Sequence, residues 1–147
     1  MKKIIVLFSV FAVLVSCQNE TSQAENEYNE TLKEVFDYHD EAMPKMGEIA
    51  DLIAKLEVQI ASDSNSNPPE EELVMAKERL EQAHDHMMAW MKDFSENYPD
   101  VHKARDFNNE QWAEENERLQ PEISSAKEMR DDVFESVAKA KKVLGEK

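Results

Sequence analysis

The chain has 147 residues, 33% of them charged, with 32 acidic against 17 basic side chains and a formal net charge of −15. That balance makes nucleic acid and anionic lipid headgroups poor partners. With 7% aromatic residues, two glycines and a single cysteine, the composition fits long solvated helices better than a sheet protein, a disulfide scaffold or a loop-rich enzyme.

At the N-terminus Lys2-Lys3 precede an apolar run from Ile4 to Val15, broken only by Ser9, and then Ser16-Cys17. The run is short for a transmembrane span, and a cysteine stands at its end. Residues 1–16 resemble a bacterial lipoprotein signal peptide. The resemblance implies cleavage by signal peptidase II, lipidation of Cys17 and, with more than one acyl chain such as palmitate, stable anchoring of a cell-envelope protein in the outer membrane. The alternative is an uncleaved signal anchor. Removing the leader leaves 15 basic residues against 32 acidic ones, a formal charge of −17. Residues 17–26 read as the lipidated cysteine and a flexible tether. Gln18-Asn19-Glu20 resembles only loosely the acidic stretch that sends some Bacteroidota lipoproteins to the cell surface, so the periplasmic face and the surface both stay open.

Ser22-x-x-Glu25 predicts a helix start, followed by Tyr28, Leu32, Val35, His39, Ala42, Met46, Ile49, Ile53, Leu56 and Ile60 at alternating spacings of four and three. A period of 3.5 predicts a left-handed bundle or coiled-coil seam with His39 and Met46 on it and Met43 beside it. Pro44 removes a backbone donor and predicts a kink between Asp40 and Pro44. Residues 62–69, SDSNSNPP, read as a linker, and Pro68-Pro69 before three glutamates favour a helix start. The second helix carries Leu73, Ala76, Leu80, Ala83, Met87, Trp90 and Phe94, flanked by His84 and Met91, and stops near Tyr98-Pro99. Asn108-x-x-Gln111 predicts the cap of a third helix bearing Trp112, Leu119, Ile123, Ala126, Met129, Val133, Val137 and Leu144, closed by Gly145; Pro121 is a point where it could divide. The expected fold is all-α: residues 27–147 form one antiparallel bundle of three long helices, or four counting a short one near residues 100–107.

The octad His-Asp-x-x-Met-x-x-Met occurs twice, as His39-Asp40-Glu41-Ala42-Met43-Pro44-Lys45-Met46 and as His84-Asp85-His86-Met87-Met88-Ala89-Trp90-Met91. Offsets of four and seven return to one helical face, so each copy aligns an imidazole with two thioethers. If the first two helices form a hairpin turning near Ser66, the octads lie at one height. His39 then comes near Met91, Met43 near Met87 or Met88, and Met46 near His84, giving one mixed cluster or two half-sites. Thioether and imidazole suit Cu(I) or Ag(I), and neither must lose a proton as a thiol would. The candidate ligands are His39, Met43, Met46, His84, Met88 and Met91, with Met87 and Trp90 in support, the indole through a cation–π contact. In residue types, though not in fold, this is similar to the periplasmic copper chaperones of silver and copper efflux systems.

Three other readings compete. Methionine fills helical cores whatever the function, so the stripe also reads as the core of a structural or protein-interaction module with an envelope partner. A b-type haem held by His and Met is a second metal reading, while the absence of Cys-x-x-Cys-His excludes covalent haem. A di-iron site is disfavoured, since Glu-x-x-His occurs at none of the four histidines. Asp40 and Asp85 read as solvated, and His86 lies on a different face from His84. No nucleophile elbow, P-loop, His-Glu-x-x-His or calcium-loop spacing is present, so an enzyme is not expected and no catalytic residue is assigned. The leader together with HDEAMPKMGEI and MMAWM resembles a group of small helical lipoproteins of Bacteroidota, some labelled "viral A-type inclusion protein". That resemblance implies a helical lipoprotein and carries over no functional residue.

Overall fold

The computed structural model describes residues 20–62, 68–101, 103 and 105–146, all in helices or their connections, with no strand among them. The leader and Cys17 lie outside the described residues. Helix α1 spans Glu20–Ala42, α2 Lys45–Ser62, α3 Glu70–Asn97 and α4 Asn109–Val143. Helix α1 begins ahead of the Ser22-x-x-Glu25 signal, so residues 20–26 continue the helix instead of forming a tether. No helix is long and apolar enough to cross a membrane among the described residues.

Helices α1 and α2 are two halves of one bent rod. The Met43 amide still reaches the His39 carbonyl at 2.9 Å, but Pro44 has no amide to offer Asp40, and the chain re-enters a helix at Lys45. Pro121 behaves differently. It sits on an exposed turn inside α4, which runs unbroken from Asn109 to Val143. Helix α4 opens with the expected capping box, Asn108 and Gln111 each bonding the other's backbone amide at 3.0 Å. It closes at Gly145, whose φ of 72° frees the Glu146 amide to bond the Lys141 carbonyl. Residues 98–108 form turns and extended chain, with no helix among those described.

The rods alternate in direction. Helix α3 runs against the first rod, with Phe36 opposite Phe94, His39 opposite Trp90 and Glu57 paired to Lys77, so that opposed residue numbers sum to about 130. Helix α4 runs parallel to the first rod, pairing Gln120 with Thr31 and Glu146 with Lys55, 89 and 91 positions apart. The bend changes neighbours. Helix α1 packs along α4 with no close backbone approach to α3, whereas α2 packs mainly along α3.

All seven predicted core residues of α3, Leu73 to Phe94, are buried. They meet Val35 and Ala42 of α1, Ile49, Leu52 and Leu56 of α2, and Leu119, Ala126, Met129 and Val133 of α4 in one core. Where α2 and α3 lie close, the buried residues are aliphatic or small. Where α1 and α3 diverge, rings fill the wider gap: Trp90 stacks on Phe94 at 5.1 Å, Tyr98 lies tilted against Phe94 at 4.9 Å, and Phe36 meets Phe94 edge-on at 5.6 Å. Each ring is larger than the aliphatic side chain it stands for further down, and so spans the extra distance.

The connection between α3 and α4 is pinned by Arg105. Its guanidinium donates to Glu115 at 3.0 Å and to the Tyr28 hydroxyl at 2.6 Å, and lies 5.0 Å from the Tyr28 and Phe107 rings and 5.3 Å from Trp112. Only 14% of the Arg105 side chain is exposed. One cation thus ties α1, the connection and α4 together. Glu115 keeps Arg118 as a second partner, so losing Arg105 does not orphan it. Arg105→Ala is expected to cost about 2 kcal/mol in urea denaturation, below the ~3–5 kcal/mol of a fully broken buried pair. Arg105→Lys should recover little, because an ammonium lacks the planar fork that serves two acceptors at once.

Candidate functional site

The first octad, residues 39–46, straddles the bend, and the second, residues 84–91, lies on α3 across the hairpin from it. His39 and Met91 line one groove with Phe36, Trp90, Phe94 and Tyr98, of about 250 Å³. Met46 and His84 line a second cleft with Ile49, Ala50, Ile53, Glu57, Glu81 and Asp85, of about 630 Å³. Two of the three pairs read from the sequence, His39 with Met91 and Met46 with His84, thus line common clefts, while Met43, Met87 and Met88 line neither. The methionines divide. Met87 is fully buried in the core, while Met43, Met88 and Met91 are 44%, 51% and 36% exposed and Met46 is half-buried.

The aspartate after each histidine is solvated as expected, Asp40 75% and Asp85 85% exposed, yet each also approaches its neighbour's ring. Asp40 Oδ1 lies 3.0 Å from His39 Nδ1 and Asp85 Oδ1 3.4 Å from His84 Nδ1, a contact between adjacent residues that an ideal helical wheel hides. A carboxylate at Nδ1 favours the tautomer in which Nδ1–H donates and Nε2 keeps its lone pair, the arrangement found behind metal-ligating histidines. His86 stands apart, 3.3 Å from Asp132 of α4, which also accepts from Arg79.

Trp90 is stacked on the His39 ring at 5.8 Å and an interplanar angle of 29°, so its contact at this site is with the imidazole. Its buried indole N–H faces the Glu122 carboxylate of α4 without reaching hydrogen-bond geometry. Burial, and then the nearby Asp93 carboxylate, push the Glu122 acid above its ordinary value, only partly opposed by the indole. Sequence reasoning missed Glu122, and no local signal could have found it among 32 acidic residues, since only the packing of α3 on α4 sets it apart.

Among the described residues no group of three or more His, Cys, Asp or Glu side chains gathers to hold a metal. No known protein family, curated protein or solved structure matches the chain.

Two outcomes test this geometry. Met87→Ala should cost about 2–5 kcal/mol by cavity formation, whereas Met43→Ala and Met88→Ala should each change thermal stability by roughly 0.5 kcal/mol or less. A raised carboxyl pKa means that folding favours the neutral acid, so its stabilising effect is present below the unfolded value and lost as pH rises through the folded one. Glu122→Gln is therefore expected to raise the melting temperature at neutral pH, with the gain vanishing once the pH falls below the ordinary glutamate value of 4.5.

Proposed function

We propose that this is a non-catalytic, lipid-anchored envelope protein that binds Cu(I) or Ag(I) through His39 and Met91 on one side of the bend and Met46 and His84 on the other. Met43 and Met88 supply further thioethers at the surface. Met87 supports the site from the core, and Trp90 braces the His39 imidazole. The anchor in this reading is the lipidated Cys17.

The observation that carries the reading is the pairing itself. Each cleft takes one histidine from one rod and one methionine from the other, and three of the octad methionines lie at the surface where an ion can reach them. The carboxylate behind each Nδ1 leaves Nε2 as the ligating nitrogen. A linear or bent pair of one nitrogen and one sulfur suits a soft monovalent ion, whereas Zn(II) would seek four ligands. Haem fits poorly: the His39 groove, at about 250 Å³ and crossed by the Trp90 and Phe94 rings, is small for a macrocycle.

Anaerobic competition titration of the purified protein with Cu(I) against a colorimetric chelator tests the proposal, beside His39→Ala, His84→Ala and the double variant. Each single variant is expected to lose one cleft's share of binding, and the double variant to lose at least roughly tenfold in affinity. Equal, weak uptake by all four proteins would overturn the reading. Met43→Leu with Met88→Leu should weaken binding while leaving the melting temperature nearly unchanged, because neither side chain is in the core.

A further inference from the structure

We infer that Met43, Met88 and Met91 form a modification site, where peroxides convert exposed thioethers to sulfoxides and leave the fold intact. The inference does not rest on metal binding. Burial sorts the methionines of the described residues into distinct groups. Met87 and Met129 are sealed in the core, Met46 is half-buried, and Met43, Met75, Met88 and Met91 are open to solvent. All of the open group except Met75 belong to the octads. Met88 and Met91 stand three residues apart on α3, within one turn of each other. The hairpin register, in which opposed residue numbers sum to about 130, sets Met43 level with Met87 and so beside the turn that carries Met88.

The chemistry requires only an open sulfur and a peroxide. A lone pair of the thioether attacks one peroxide oxygen, an S–O bond forms and the O–O bond breaks. The departing hydroxide takes the proton from the new S–OH group and leaves as water. Sulfur gives up two electrons and the peroxide accepts them, so one hydrogen peroxide yields one sulfoxide and one water. The oxidant must touch the sulfur itself, and solvent must receive the leaving group. Met43, Met88 and Met91 meet both conditions in the folded chain, and Met87 and Met129 meet neither.

Burial also decides what the modification does to the protein. A sulfoxide at Met87 or Met129 would put a strongly polar oxygen into the apolar core, with a desolvation cost that loosens the packing. At the open positions water solvates the same oxygen, and the core keeps its shape. The surface changes instead. Met91 lines the groove between α1 and α3 with Phe36, Trp90, Phe94 and Tyr98, so its oxidation makes one wall of an apolar groove polar. A sulfoxide reductase can reach an exposed side chain, which makes the change reversible.

The test treats the full chain, metal-free in the presence of a chelator, with hydrogen peroxide. Peptide mapping by mass spectrometry follows each methionine over time, and circular dichroism follows the helices. Met43, Met88 and Met91 are expected to gain one oxygen each, roughly tenfold or more faster than Met87 and Met129, with helicity unchanged. Met75 should react with the fast group and Met46 between the two groups. Methionine sulfoxide reductase should remove the added oxygens. In concentrated urea the difference in rate should vanish, because unfolding opens every thioether alike. A Met43→Leu, Met88→Leu, Met91→Leu variant should keep its helicity and lose the fast uptake at those positions. Met87 or Met129 keeping pace in the folded chain would overturn the proposal. So would loss of helicity while only the exposed sites have reacted, or a lag of Met87 and Met129 that persists in urea, since burial would then not be its cause.

Discussion

Pro44 has no amide hydrogen, so the carbonyl of Asp40 has no donor one turn on, and the first rod changes neighbour at that point. Before it, α1 lies along α4; after it, α2 lies mainly along α3. Most of what distinguishes this protein from a plain three-helix bundle descends from that missing hydrogen bond. The divergence of α1 from α3 makes room for the ring stack of His39, Trp90, Phe94 and Tyr98, and it leaves a groove where a closed bundle would have core. It also sets His39 and Met91 in one cleft and Met46 and His84 in another, on either side of the bend.

The stabilising devices lie mostly away from the bend. The aliphatic core along α2, α3 and α4 carries the burial, and the Arg105 cage of Tyr28, Phe107, Trp112 and Glu115 fixes the end of the bundle at the α3–α4 connection. Surface ion pairs such as Lys33 with Asp37 and Lys127 with Asp131 join residues four apart on exposed helical faces, where solvent screening leaves them little weight. Stability and the candidate sites are thus largely separable. The exposed octad side chains can change without a cavity forming, while Met87, from the same octad, is part of the core.

His39 and Met91 share one cleft with the rings of Phe36, Trp90, Phe94 and Tyr98, and Met46 and His84 share another beyond the bend. The cation at Lys45 is held by Glu48, whose carboxyl is kept below its ordinary value by Lys45 and Lys141, so the bend itself is bordered by a satisfied charge cluster.

The sequence by itself determined the helices, the α4 capping box, the Gly145 terminus, the break at Pro44, the hairpin register and all seven buried positions of α3. Periodicity, caps and proline act through bonds within four residues and are therefore visible in one dimension. Only the tertiary structure decided which face of each octad is core. Met87 and Met88 are neighbours of identical chemistry, and one is sealed in the core while the other meets solvent. Likewise Leu52, Thr31 and Ser136 are buried although they lay outside the predicted stripes, because the bend resets the helical phase of the rod and because α4 is covered on more than one side. The Arg105 cage, Glu122 and the carboxylates behind His39 and His84 depend on side-chain directions and on contacts across the bundle, which no spacing along the chain encodes.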